Sequence, residues 1–154
     1  MQRCLNALIL MLAIFLLLWS LPTAAVERPF SLHGTGSLAF TGGPPPTGGN
    51  LTASGTASHL GQWTATGELT FSAGSEPNLI LADGTETFIA ANGDELYVEF
   101  TAAELDTNTG IATGVFMFVG GTGRFEGASG SAPFVVLQDP SGSFEVTAIG
   151  SIDY

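Results

Sequence analysis

The sequence predicts an all-β protein, either a sandwich or a closed barrel. Several segments alternate apolar and polar residues with a period of two, as half-buried strands do, and none keeps a helical period. Turn signals that contain glycine separate these segments at roughly even spacing. Eight or nine short strands in such a pattern are typical of these two architectures.

The first 25 residues differ from the rest and predict a secretory signal peptide. Met1 and Arg3 give the start positive charge, residues 5–19 are almost wholly apolar, and Thr23–Ala25 is a small-residue cleavage pattern. The apolar stretch is shorter than the roughly 20 residues that a spanning helix needs. We expect cleavage after Ala25 and a secreted or periplasmic protein without stable membrane insertion; an uncleaved anchor is the alternative.

Residues 26–154 have the length of a single domain. The chain's one cysteine, Cys4, precedes the predicted cleavage point, so the mature region has neither a disulfide nor a thiolate metal site. Its two histidines, His33 and His59, are not spaced with carboxylates in a metal-binding pattern. The sequence therefore predicts no metal and no cofactor.

The charge of the chain is strongly acidic. The sequence contains fourteen Asp and Glu residues and only three Lys and Arg residues, and the net charge is −11 with neutral histidines. Such a surface repels phosphate backbones and anionic lipids, which excludes nucleic-acid binding and adhesion to lipid headgroups. Because the acids are scattered, they indicate solubility more than a site for a cationic partner.

The first three predicted strands are Phe30–Phe40, Leu51–Leu60 and Gln62–Ser72. Residues 41–50, TGGPPPTGGN, separate the first two and predict an exposed loop, because proline cannot donate to a strand ladder. In the third strand, apolar residues from Trp63 onwards alternate with threonine and glutamate.

The middle of the chain is predicted to contain three shorter strands, Leu79–Leu81, Glu86–Ala91 and Glu95–Thr101. The dipeptides Asp83-Gly84 and Asn92-Gly93 separate them and predict tight turns, because Asn and Gly tolerate positive φ. The last of the three alternates without a break.

The last three predicted strands are Ile111–Val119, Ala128–Leu137 and Ser143–Asp153. The glycine-rich residues 120–127 predict a tight connection between the first two, and Ser141-Gly142 predicts a turn before the third. The glycines lack the spacing of a dinucleotide-binding loop, and no βαβ pattern surrounds them.

Two segments carry a resemblance to known families. Residues 118–130, FVGGTGRFEGASG, resemble a stretch of dirigent and allene oxide cyclase-like proteins, and residues 58–64, SHLGQWT, resemble an earlier segment of bacterial secreted members. The resemblance implies a calycin-like, eight-stranded antiparallel closed barrel with a central cavity. It leaves the reaction open, since the dirigent aspartate and arginine set cannot be placed here, except that Arg124 lies inside the glycine motif, and the mature region lacks the cyclase's cysteine.

The sequence favours a soluble secreted barrel that binds or encloses a small hydrophobic ligand. The predicted inward apolar residues are Trp63, Phe71, Phe88, Phe100, Phe116 and Phe118. The candidate ligand-binding residues are His59, Trp63, Tyr97 and Arg124. For His59 the alternative role is a turn cap, and for Arg124 it is pairing with a carboxylate. No catalytic residue is predicted.

Three other functions stay open. A small outer-membrane barrel fits the export signal, the strand number and the alternating C-terminal strand that ends at Tyr154, but the two shortest predicted strands and the few interfacial aromatics disfavour it. A structural or adhesive surface protein and a dirigent-like cyclase or isomerase are the other two. Whether the protein is an enzyme, its oligomeric state and its host also stay open.

Overall fold

The computed structural model describes residues 26–154 as one closed barrel of eight antiparallel strands. Each strand pairs with the next along the chain, and the last pairs with the first. This confirms the predicted fold class; the predicted signal peptide, residues 1–25, lies outside the described residues. The strands are β1 Arg28–Thr41, β2 Gly48–Ala57, β3 Gly61–Ala73, β4 Leu79–Ile89, β5 Glu95–Asp106, β6 Ile111–Gly121, β7 Ser129–Gln138 and β8 Ser143–Asp153.

The predicted turn at Asp83-Gly84 is wrong, because β4 runs through it as one strand. The pairing with β5 shifts between Ala82 and Gly84, and the Asp83 carboxylate accepts a hydrogen bond from the Ala102 backbone N–H at 2.7 Å. Any Cβ at Gly84 would overlap the Phe100 ring. Gly84 is therefore required for close packing inside a strand. An Asp-Gly dipeptide occurs both at such positions and in hairpin turns, so the sequence alone does not separate the two.

The other predicted strands and turns largely match the structure. Gly93 and Gly142 have φ of 88° and 90°, as the two predicted turns require. β2 begins and ends earlier than predicted, since residues 58–60 form the turn to β3.

Apolar residues from every strand point into the barrel and form its core. Four phenylalanines pack in the middle, with ring centroids 4.3 Å apart for Phe116 and Phe134 and 5.6 Å apart for Phe100 and Phe134. Phe88 contacts Phe116 with a centroid distance of 6.0 Å. An eight-stranded interior is just wide enough for such side chains or for one small ligand.

The two ends of the barrel differ. The end that holds the β2–β3, β4–β5 and β6–β7 connections, here called the motif end, is sealed by side chains at most 1% exposed: Leu60, Leu96, Phe125 and Ile152. The other end, the loop end, holds the β1–β2, β3–β4, β5–β6 and β7–β8 connections. Around it Leu69, Phe71, Val136 and Phe144 are only half-buried.

The outer face is mainly polar. Thr64, Thr66, Glu68 and Thr70 face outwards on β3, and the same pattern holds on β5. Outward apolar residues gather instead on β6, β7 and β8: Ile111, Val115, Met117, Val119, Val135, Leu137 and Ile149. Among residues 26–154, none of the helices has the length and apolarity that crossing a membrane requires.

Candidate functional site

A cavity of about 80 Å³ runs inside the barrel from the loop end to Trp63 and Phe88. All eight strands contribute to its wall. Its lining is apolar except for Glu86 and Gln138. Seven aromatic side chains dominate it: Trp63, Phe71, Phe88, Phe100, Phe116, Phe134 and Phe144.

Glu86 places a carboxyl group on the wall of this apolar cavity. It lies on β4 two residues before Phe88, so the strand's alternation turns it inwards. It pairs with Gly67 on β3, where a Cβ would come within 2.7 Å of the Glu86 Cγ. The absence of a side chain at Gly67 thus leaves the room that the Glu86 stem occupies.

The environment of Glu86 favours its neutral form. Burial raises the pKa of the Glu86 carboxyl to about 8, because the charged form loses its hydration. Neither arginine of the described chain lines the cavity, and within residues 26–154 no hydrogen bond to this carboxyl is formed. At neutral pH the group is therefore mainly a carboxylic acid, which donates a hydrogen bond.

Trp63 lines the deep part of the cavity and is 2% exposed. Its ring lies over Gly34, where a Cβ would overlap it, and its centroid is 5.0 Å from that of Phe88. Its indole N–H is buried and has no hydrogen-bond partner among residues 26–154. A buried donor left in this state costs about 1–3 kcal/mol, so an acceptor that reached it would be bound favourably.

The chemistry of the cavity is limited to binding and to what one acid can do. Glu86 is the only titratable side chain among the described lining residues, so the cavity offers no acid–base pair. Within residues 26–154, no three His, Cys, Asp or Glu side chains are grouped so as to hold a metal ion. The lining suits a small apolar molecule and supplies few polar contacts to it.

His59 lies outside the cavity, in the β2–β3 turn at the motif end. Its Nδ1 accepts a hydrogen bond from the Tyr154 hydroxyl at 3.0 Å, and its Nε2 is 2.9 Å from the Pro29 carbonyl. Since a carbonyl only accepts, Nε2 must carry the proton. This chain of hydrogen bonds joins β1, the turn and the C-terminal residue, and the Arg28 guanidinium covers the Tyr154 ring at 4.2 Å.

Arg124 also lies at the motif end, in the short 3-10 helix Gly123–Phe125 between β6 and β7. Its guanidinium donates to the Asn92 side-chain oxygen at 3.2 Å and lies 3.6 Å from the Asp94 carboxylate. The Asn92 amide and the Arg124 backbone N–H, which donate to Asp94, hold the pKa of that carboxyl below its usual range.

The glycine-rich connection inserts Phe125 into the barrel. Gly123 has φ of 57°, and Thr122 exchanges backbone and side-chain hydrogen bonds with Glu95 at 2.8 and 2.9 Å. The 3-10 turn then places the Phe125 ring, 0% exposed, 5.2 Å from the Tyr154 ring. The segment that resembles known families therefore forms a plug at the end opposite the loop end.

Of the four candidate ligand-binding residues, the structure brings only Trp63 to the cavity. Tyr97 faces outwards on β5, where its hydroxyl donates to Glu95 at 2.9 Å. Five of the six predicted inward residues line the cavity, and the sixth, Phe118, is buried against Phe30 instead.

Sequence reasoning missed Glu86, Phe134 and Phe144. The signal for Glu86 was present in the predicted strand Glu86–Ala91, because Phe88 was predicted to face inwards and Glu86, two residues before it, shares its face.

Comparison with known proteins supports the fold. The chain is similar to the solved structure of a pterocarpan synthase dirigent protein, with a TM-score of 0.52 and 21% sequence identity. The match covers 87% of this chain and 94% of that one. No family model and no curated protein matches the chain. At this identity the similarity shows a dirigent-like barrel and assigns no reaction.

Proposed function

We propose that this protein is a soluble, exported barrel that binds a small hydrophobic molecule in its interior. The observation that carries the proposal is the aromatic-lined cavity, which reaches the loop end of the barrel. Half-buried Phe71 and Phe144 surround that end, whereas the motif end is sealed. A ligand therefore enters at the loop end and stops against Trp63.

The volume of the cavity limits the size of the ligand. An apolar cavity of roughly 150 Å³ holds benzene in other proteins, and this one measures about 80 Å³. The enclosed part of the ligand is therefore no larger than one small ring, and any larger part extends to the loop end. With so few contacting atoms, we expect dissociation constants between about 10 µM and 1 mM.

The outer face favours a soluble protein over an outer-membrane barrel. Barrels in membranes carry an apolar band outside and polar groups inside, and here the arrangement is reversed on most strands. β4, Leu79–Ile89, is long enough for a membrane barrel, so strand length does not disfavour that alternative. The polar outer face and apolar interior are what support a soluble protein. The resemblance to bacterial secreted members and the predicted signal peptide support export.

Binding of small cyclic probes tests the proposal. Cyclopentanone and methylenecyclopentane are titrated into the purified protein while tryptophan fluorescence and thermal unfolding are followed. We expect either probe to change the emission of Trp63 and to raise the unfolding temperature, because a ligand that binds only the folded state stabilises it. The Trp63→Phe variant is the control for fluorescence from Trp19. No stabilisation by either probe would contradict the proposal and favour a structural module with a filled interior.

A further inference from the structure

We infer that the cavity selects small apolar molecules that carry a hydrogen-bond acceptor, such as a carbonyl oxygen, and that Glu86 and Trp63 are the donors. The inference rests on the proposed ligand-binding function and adds the chemical class of the ligand. Both side chains line the same cavity, and every other polar group on its wall belongs to Gln138 at the end of β7.

The geometry around Glu86 supports a donor and not an ion-pairing carboxylate. Leu69, Val98 and Phe100 are its inward neighbours on β3 and β5, and none of them is charged or titratable. The outward Glu68 and Glu99 on those strands lie on the opposite face of the sheet. Arg28 and Arg124 lie at the motif end, so no cation of residues 26–154 compensates a charge on Glu86.

Trp63 points independently to the same ligand class. Its indole N–H is a donor that cannot accept, it is buried, and no acceptor of residues 26–154 reaches it. Both side chains line one apolar cavity, so an oxygen on the ligand can supply the missing acceptor, whereas a pure hydrocarbon leaves both donors without a partner. The raised pKa of Glu86 agrees, because it keeps the acid protonated at neutral pH.

The test compares two ligands of one shape. Cyclopentanone and methylenecyclopentane differ in that an oxygen replaces a CH2 group, and their dissociation constants are measured by calorimetry at about pH 6 and about pH 9.5. Because the ketone is better hydrated, the quantity compared between variants is the ratio of the two constants. We expect Glu86→Met to shift this ratio about three- to tenfold towards the alkene at the lower pH.

The pH and the conservative variant separate donation from shape. At the higher pH the wild-type ratio should approach that of Glu86→Met, because an ionised carboxylate no longer donates. Glu86→Gln keeps an N–H donor at both pH values and should retain the preference for the ketone. Trp63→Phe should shift the ratio about two- to fivefold towards the alkene.

The outcomes distinguish the two levels of the proposal. If the alkene binds and the ratio is the same in wild type, Glu86→Met and Trp63→Phe at both pH values, the inferred ligand class is wrong and the binding function stands. If neither molecule binds the wild type, the binding function fails and the inference fails with it.

Discussion

The motif end and the loop end of the barrel use the same alternating strands for different purposes. At the motif end, Leu60, Phe125 and Ile152 are at most 1% exposed. There His59 donates a hydrogen bond to the Pro29 carbonyl and Thr122 accepts one from the Glu95 backbone N–H, and both bonds join neighbouring elements. At the loop end, Phe71 and Phe144 stay half-buried around the cavity. The difference separates what holds the barrel closed from what is available to a ligand.

This separation changes the meaning of the conspicuous sequence segments. Residues 118–130 and 58–64 carry the family resemblance, and the plug and the turn that they form both lie at the motif end. The chemistry of the cavity depends on Glu86, in a stretch that shows no motif, and on Trp63, the one residue of these two segments that lines the cavity. A segment that identifies a fold therefore need not lie at the site where the function is performed.

The largest expected effect comes from removing the plug. Phe125→Ala should lower the free energy of unfolding by about 3–5 kcal/mol, because it opens a cavity among fully buried side chains. Phe144→Ala at the loop end, where the ring is half-buried, should cost less, about 1–2 kcal/mol. Urea unfolding curves measure both.

The same two variants should also differ in their affinity for a ligand. Phe125→Ala should leave the dissociation constant of cyclopentanone unchanged, and Phe144→Ala should raise it, since only Phe144 lines the cavity. If Phe125→Ala does not fold, Phe125→Leu keeps most of the volume and takes its place. An equal effect of both variants on the dissociation constant would contradict the claim that only the loop end is available to the ligand.

The next largest expected effect is a pH dependence of the free energy of unfolding, which arises from Glu86 in the cavity. The ordinary pKa of 4.5 is raised to about 8 in the folded protein, so between these values the folded state binds more protons than the unfolded chain. The free energy of unfolding should therefore fall by about 2–4 kcal/mol as the pH rises through this range, and level off above it.

Glu86→Gln should remove this dependence, because an amide does not titrate. Glu68→Gln, an exposed outward glutamate on the neighbouring strand, is the matched control and should keep the wild-type slope. Chemical unfolding at a series of pH values measures it, and a Glu86→Gln slope equal to that of wild type would refute the buried acid.

The smallest expected effect tests the hydrogen bonds of the motif end. Tyr154→Phe removes the hydroxyl that donates to His59 and keeps the ring beside Phe125, and it should cost about 1 kcal/mol. Tyr97→Phe removes the hydroxyl of an exposed side chain that donates to Glu95, and it should cost less than about 0.5 kcal/mol. Equal losses in thermal unfolding would show that the bond to His59 contributes nothing particular to the seal.

The fold was predictable from the sequence, and the site only in part. Period-two alternation located most strands, because the barrel buries one face of each. It failed at Asp83-Gly84, where a glycine makes room for Phe100 across the sheet, a contact between distant parts of the chain. The inward direction of Glu86 already followed from its place two residues before Phe88 in the predicted strand Glu86–Ala91. The direction of Trp63 followed from alternation, whereas the roles of His59 and Arg124 depended on partners about 30 residues away.

The most direct test of ligand binding inside the barrel is the NMR signal of the Trp63 indole N–H, assigned with Trp63→Phe. Trp63 is the only tryptophan of residues 26–154, and its side chain lines the cavity that the ligand should occupy. Adding cyclopentanone should shift this signal and the amide signals of Phe88 and Phe116, while those of Arg124 and Glu126 at the motif end stay in place. Shifts at Arg124 and Glu126 without a shift of the Trp63 indole would contradict the account.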